Sequence, residues 1–218
     1  MKNILFCVLL VAFVSNAAGQ QFYLETGMVI SSFNYRNSDG DRLTDLKGTN
    51  LNGFGIGAAM PVMKSPWMVF LELSNNKYGA TPSDPEIGNF SEWDVSCLGL
   101  TLGGSYVFFK PRMINIDREG FSATVRAALA PELLIAGKQK LNSQVYDLSG
   151  EEEFDKPFFF VKGGVSVNYY LTRNYIVFSR YMFGRSLLFG NYDGQEKLNI
   201  MSHTISLGFA LDISHRRN

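Results

Sequence analysis

The chain has 218 residues, with 20 Lys or Arg against 20 Asp or Glu. This balance excludes the broad basic field of a nucleic-acid-binding domain. Lys2, the apolar run from Ile4 to Val14 and the small residues of 15–19 form the pattern of a cleavable signal peptide. The apolar run is too short for a spanning helix, which needs about 20 residues. We therefore expect a signal peptide at 1–19 and a single domain at 20–218, in which Cys97 is the only cysteine.

The mature region contains segments in which apolar side chains alternate with small or polar ones. A period of two residues is typical of a β-strand. The clearest segment runs from Ile205 to Ser214, and the least regular one is 174–188. In chain order, the eight predicted strands are 21–36, 52–60, 67–78, 97–108, 121–137, 159–171, 174–188 and 205–214.

The connections between these segments alternate in length. This alternation predicts an even-stranded barrel with short periplasmic turns and longer external loops. The link at 110–120 departs from the pattern, because it stands where a short turn is expected and is longer. The tight connections are 61–66 and 172–174, and the long polar ones are 37–51, 79–92, 138–156 and 190–197.

Alternation alone also fits a soluble lipocalin-like barrel or a β-sandwich. The polar phase favours a membrane barrel, because it consists mostly of Gly, Ala and Ser, which suit a narrow lumen better than a water-facing surface. The aromatic residues are expected to form two interfacial belts. The first belt comprises Trp67, Tyr106, Phe108, Tyr169, Tyr170 and Tyr175, and the second comprises Tyr35, Tyr78, Trp93, Phe158, Phe159 and Phe183. The predicted fold is all-β, an eight-stranded antiparallel up-and-down transmembrane β-barrel.

These features, together with the terminal pattern at 206–213, resemble the small outer membrane protein beta-barrel domain group common in Bacteroidetes-type bacteria. That group is related in architecture to the OmpA transmembrane domain and to OmpX. The resemblance rests on pattern and spans nearly the whole mature chain. It implies a Gram-negative outer-membrane location, with lipid, lipopolysaccharide, periplasmic chaperones and the barrel assembly machinery as partners. The chain departs from such barrels at its end, where Ile213 is followed by Ser-His-Arg-Arg-Asn rather than by an aromatic residue.

Seven charged residues fall in the inward phase, and their mixed signs predict an ion-pair network that fills the lumen. A hairpin centred near residue 147 would place Glu132 level with Lys162, which makes these two residues a candidate pair. The alternative role for the charges is a gated ion or proton path. The predicted lumen network is Glu25, Glu72, Arg126, Glu132, Lys162, Arg180 and Asp212. A separate acidic cluster in an external loop is Glu151, Glu152, Glu153 and Asp155. We expect it to be a solvated charge run. The alternatives are a bridge through divalent cations to lipopolysaccharide phosphates and a contact with a basic partner.

The sequence offers no catalytic constellation. His203 shares its phase with Ile205 and should face outward, and His215 lies in the C-terminal tail. Neither histidine is placed beside an inward serine, so we predict no catalytic residues, no metal site and no cofactor. The function expected first is a non-enzymatic barrel with a structural or surface-interaction role through its long loops. The alternatives are a narrow porin-like channel and, third, a lipid A-modifying barrel enzyme.

Overall fold

The computed structural model describes residues 20–36, 42–43, 46–63, 65–82, 91–109, 120–141, 144–148, 157–172, 174–187 and 197–213. Regular structure in these residues consists of β-strands. No helix in this part of the chain is long and apolar enough to cross a membrane. The strands in chain order are β1 (Gln21–Arg36), β2 (Arg42–Leu43), β3 (Leu46–Pro61), β4 (Trp67–Pro82), β5 (Ser91–Phe109), β6 (Gly120–Leu141), β7 (Gln144–Asp147), β8 (Phe158–Tyr170), β9 (Tyr175–Leu187) and β10 (Lys197–Asp212).

Eight of these strands are long and form a closed antiparallel barrel. Each pairs with its neighbours along the chain, and β10 closes the ring by pairing with β1 from Asp212↔Gln21 to Lys197↔Arg36. The strands are staggered around the ring. A path from Met201 through the paired residue of each successive strand returns to β10 at Leu211, which is ten residues further along the strand. Such a stagger tilts the strands, and eight tilted strands leave an interior just wide enough to be filled by side chains.

The two tight connections are as predicted. In the first, Val62 N donates to Trp67 O over 2.8 Å, and in the second Leu171 N donates to Tyr175 O over 2.9 Å. We call this the short-turn end of the barrel and the opposite one the long-loop end. The 110–119 link lies outside the described residues.

The strands extend further toward the long-loop end than alternation predicted. Polar stretches whose composition predicts loops continue the ladder, for example where Lys47 pairs with Thr81 and Glu92 pairs with Lys140. Backbone hydrogen bonds do not require apolar side chains, so polarity placed the strand ends too early. Register shifts between Gly48 and Gly53 and at Ser96/Cys97 also interrupt the regular phase there. The short strands β2 and β7 lie inside the predicted loops 37–51 and 138–156.

The predicted phases of the eight long strands match the side-chain orientations. Large apolar residues face outward, as in Leu24, Leu129 and Leu207, which are 51%, 61% and 64% exposed. Small and charged residues of the opposite phase face the lumen, where Ser122 and Arg126 are buried. This inversion, apolar outside and polar inside, is the arrangement that lipid selects in a barrel.

The belt prediction is correct in part. Outward aromatic residues pack in cross-strand pairs near the short-turn end, such as Trp67 with Tyr106, whose ring centroids are 4.9 Å apart. Four other belt residues were assigned wrongly. They have the inward phase of their strands, so their rings lie on the lumen side whatever their distance from the membrane surface. These four are Tyr78, Trp93, Phe158 and Tyr170.

Candidate functional site in the barrel lumen

Strand β4 shows how the lumen is organised along the barrel axis. Its inward residues from the short-turn end are Phe70, Glu72, Ser74, Asn76 and Tyr78. The two rings are 1% exposed and belong to two different apolar clusters. The lumen therefore consists of an apolar layer, a polar middle and a second apolar layer.

The polar middle begins with four ionisable side chains, which we call the first charge cluster: Glu25, Glu72, Arg126 and Arg180. Arg180 Nη1 donates hydrogen bonds to carboxylate oxygens of both acids, to Glu25 at short range and to Glu72 over 3.3 Å. Tyr23 OH donates to Glu72 over 2.9 Å and accepts from Arg126 Nη2 over 3.3 Å. Tyr23 thus links Arg126 to Glu72, one of the two acids that bind Arg180.

Both arginines of this cluster also stack on aromatic rings. The guanidinium carbon of Arg126 lies 3.7 Å from the centre of the Phe70 ring, and that of Arg180 lies 4.6 Å from the Phe178 ring. Cation–π contacts of this kind strengthen when water is excluded. The rings of the neighbouring apolar layer therefore hold the cationic groups in place.

The second charge cluster is centred on Glu132, whose side chain is fully buried. Its carboxylate accepts hydrogen bonds from Lys162 Nζ over 2.6 Å, from Asn76 Nδ2 over 3.0 Å and from Tyr78 OH over 2.8 Å. Gly99 faces this carboxylate, and a Cβ atom there would lie 3.0 Å from Glu132 Cγ. The absence of a side chain at position 99 therefore makes room for the buried acid.

The structure brings Glu132 and Lys162 together, but the register predicted for them is wrong. Glu132 is level with Phe158, and Lys162 is level with Ala128, four residues away along the strand. The connection between β6 and β8 is not a simple hairpin centred at 147, since the chain inserts β7 and pairs it with the end of β6. The pair forms diagonally because the long lysine side chain reaches along the strand.

Each charge cluster is electrically balanced. The first combines two acids with two arginines, and the second combines one acid with one lysine. Burying charge is costly unless it is paired and hydrogen-bonded. The local balance lets the lumen hold six charged groups at its centre.

Apolar layers flank the polar middle on both sides. The layer toward the short-turn end is built from Tyr23, Ala59, Phe70, Ala128, Ile176, Phe178 and Ala210. The layer toward the long-loop end is built from Val29, Phe33, Tyr78, Ala80, Trp93, Val95, Cys97, Ala130, Leu148, Phe160 and Ile200.

One further residue of the predicted lumen network lies apart from these clusters. Asp212 is near the short-turn end, where its Oδ2 accepts a hydrogen bond from Gln21 Nε2 over 3.0 Å. It therefore does not join the ion pairs at the centre of the lumen. The acidic loop cluster at 151–155 lies outside the described residues.

The lumen contains functional partners that the sequence interpretation missed. Tyr23, Asn76 and Tyr78 bind the predicted acids, and Phe70 and Phe178 stack on the arginines. The sequence contains a signal for their orientation, because each of these residues has the inward phase of its strand. It contains no signal for which residues they contact across the lumen.

His203 lies on the outer face, as its phase predicted. Its Nδ1 is 2.7 Å from Tyr181 OH, and its ring centroid is 5.2 Å from that of Phe183. Within the described ranges, no group of three His, Cys, Asp or Glu side chains could hold a metal ion.

A closed barrel of eight long antiparallel strands, with an apolar exterior and a polar, filled interior, defines a transmembrane β-barrel. The solved structures with this fold include the outer membrane protein OprG from Pseudomonas aeruginosa, which is 11% identical with a TM-score of 0.56 over 90% of this chain and 97% of OprG. This likeness shows the fold alone.

Two further solved structures share less of the detailed geometry. Neisserial surface protein A is 12% identical, with a TM-score of 0.48 over 88% of this chain and 97% of its own. A major outer membrane protein from Thermus thermophilus is 11% identical, with a TM-score of 0.49 over 89% of this chain and 99% of its own. No family model and no curated protein sequence matches the chain.

Proposed function

We propose that the protein is a non-enzymatic barrel of the Gram-negative outer membrane, with a closed lumen and with its contacts made through loops at the long-loop end. The apolar exterior supports a lipid environment. The shared fold with OprG, an outer membrane protein, supports the outer membrane as its location. Export through a signal peptide at 1–19, followed by chaperone and assembly-machinery contacts, belongs to the same proposal.

The filled lumen is the observation that carries this function. Phe70, Tyr78 and Phe160 are each 1% exposed. Of the six charged groups between them, five form ion pairs and Arg126 binds the Tyr23 hydroxyl. Eight-stranded barrels have no room for both such side chains and a water-filled pore. A barrel through which solutes diffuse passively would need a lumen without these apolar layers. The filled lumen supports a scaffold role, in which the rigid barrel wall presents loops to partners.

Conductance of the folded protein in a planar bilayer tests the proposal. A shift in gel mobility between unheated and boiled samples first establishes that the barrel is folded. We expect no discrete openings from folded, inserted protein. Reproducible single-channel steps would instead establish the narrow channel as its function, with the first charge cluster as the candidate conduction path.

The arrangement of His203 supports the non-enzymatic part of the proposal. Its hydrogen-bonding partner is the phenol of Tyr181 on the outer face, and a tyrosine–histidine pair without a serine or cysteine lacks the usual acyl-transfer nucleophile. Mass spectrometry of lipid A from cells with and without the protein tests this point. We expect identical spectra, and a mass change that His203→Ala abolishes would make the protein a lipid A-modifying enzyme.

Lipopolysaccharide is the proposed partner of the loops. The acidic cluster of Glu151, Glu152, Glu153 and Asp155 has the chemistry to share divalent cations with lipid phosphates. Replacing all four by their amides should weaken Mg²⁺-dependent binding of lipopolysaccharide to the folded barrel. Unchanged binding would exclude this cluster as the contact.

A further inference from the structure

A small cavity lies between the two charge clusters. It is bordered by the acids Glu25 and Glu72 on the side of the first cluster and by Ser74 and Asn76 on the side of the second. Its lining also includes residues of the outward phase, Thr26 and Phe54, so the cavity reaches into the barrel wall. The cavity offers about 20 Å³ to the centre of a water-sized sphere. A single water molecule needs roughly 10–15 Å³ of such space. The cavity is therefore large enough for one or two water molecules.

The walls of the cavity lack side chains where β1 and β3 approach each other. Gly27 pairs with Gly53, and the adjacent Gly55 lies opposite Glu25. A Cβ atom at Gly55 would stand 3.3 Å from Glu25 Cγ and 3.4 Å from Glu72 Oε1. The absence of a side chain at Gly55 thus leaves space beside the two carboxylates.

An unsatisfied hydroxyl group lines the same cavity. Ser206 on β10 is 3% exposed, and its Oγ has no hydrogen-bond partner in the described part of the chain. Ser206 is level with Gly27 on one side and with Arg180 on the other. A buried hydroxyl without a partner costs free energy unless a solvent molecule or ion satisfies it.

The charge balance around the cavity favours water over a cation as the ligand. The two acids beside the cavity share Arg180, and Arg126 completes the neutral first cluster through Tyr23. The acid beyond Asn76 is paired with Lys162. A cation would therefore add net charge beside carboxylates whose charge is already balanced, which is unfavourable. Water has no charge and can donate to the carboxylates while it bonds to the hydroxyls.

We propose that this cavity is a water-binding site, in which one or two water molecules hydrogen-bond to Ser206 and join the two charge clusters into one polar column. The column crosses the middle of the lumen and ends at the apolar layer on each side. The water is thus a structural ligand of the closed barrel.

The sign of a stability change tests the site. Ser206→Ala removes only the hydroxyl group. If water is bound, the variant loses a satisfied hydrogen bond, and the folding equilibrium constant should fall about three- to tenfold. If the cavity is dry, the variant relieves an unsatisfied hydroxyl, and the constant should stay the same or rise, which would overturn the proposal.

Thr101→Val is the matched control. Thr101 Oγ1 is also buried and unpartnered within the described residues, but Thr101 does not line the cavity. Its replacement should leave the folding equilibrium constant unchanged or raise it. Equal losses in the two variants, measured by urea titration in lipid vesicles, would mean that packing rather than water explains the Ser206 effect, and the proposal would fail.

A crystal structure of the wild-type protein, grown with rubidium as the monovalent cation, tests the site without any substitution. We expect density for water within hydrogen-bond distance of Ser206 Oγ and no anomalous signal. An anomalous peak at this position would show that the cavity binds a cation and would overturn the proposal. An empty cavity would exclude both ligands.

Discussion

Glu132 and Lys162 form an ion pair of 2.6 Å between β6 and β8 although they are not cross-strand neighbours. The lysine leans along the barrel axis to reach a carboxylate that also accepts hydrogen bonds from Asn76 and Tyr78. The fully buried carboxylate is thereby satisfied by three donors from two other strands. The stability of this part of the lumen therefore depends on side chains that meet across strands and not on register alone.

Lys162→Met should destabilise the barrel strongly. The substitution leaves Glu132 buried without its cation, and breaking a buried pair in this way costs about 3–5 kcal/mol. The control is Lys140→Met, since Lys140 is exposed at the long-loop end of β6. Urea titration in lipid vesicles should show a large loss for the first variant and almost none for the second. Equal losses would contradict the role assigned to this ion pair.

Arg180→Met should be at least as destabilising, because two carboxylates lose the same partner. We expect a loss of about 3–5 kcal/mol or more. Arg180→Lys should restore part of it, since a lysine retains the charge without the planar group that binds two acids at once. Arg185 faces outward on the same strand, and Arg185→Met serves as the control. If Arg180→Lys were as unstable as Arg180→Met, the charge would not be the important feature.

Gly27→Ala should prevent the barrel from closing. A Cβ atom at this position would lie 2.2 Å from the backbone oxygen of Ile205 and 2.6 Å from Ser206 Cα, at the seam between β1 and β10. Gly163→Ala is the control, because the nearest atom to its Cβ would be Arg126 O at 3.9 Å. Only the first variant should lose the mobility difference between unheated and boiled samples. A normal shift for Gly27→Ala would mean that the seam tolerates a wider separation.

Leu129→Arg tests whether the exterior faces lipid. Leu129 is 61% exposed in the outward apolar band, and an arginine near the middle of a bilayer costs a barrel about 2–4 kcal/mol. Val145 is 63% exposed on β7 at the long-loop end, so Val145→Arg provides a control of equal exposure. We expect only Leu129→Arg to lower stability in lipid vesicles. If neither variant lowered the stability, the exterior would face water.

The alternation in the sequence determined which side chains of the barrel wall face outward and which face the lumen. In β10, and in β6 from Phe121 to Ile135, it assigned the side chains to the correct face, because successive residues of a regular strand point in opposite directions whatever the strand pairs with. Applied strictly, the same rule also places Tyr78 and Trp93 inside. Their assignment to the outer belts came from their position near strand ends, which carries no information about the face.

The tertiary structure alone decided which inward residues meet. Arg126 binds Tyr23 from 103 positions away, and Arg180 binds Glu25 from 155 positions away. Such contacts depend on how the sheet closes and on the stagger between its strands, and a period-two pattern contains neither quantity. The sequence by itself therefore determined which residues enter the lumen, and barrel closure determined the two charge clusters and the cavity between them.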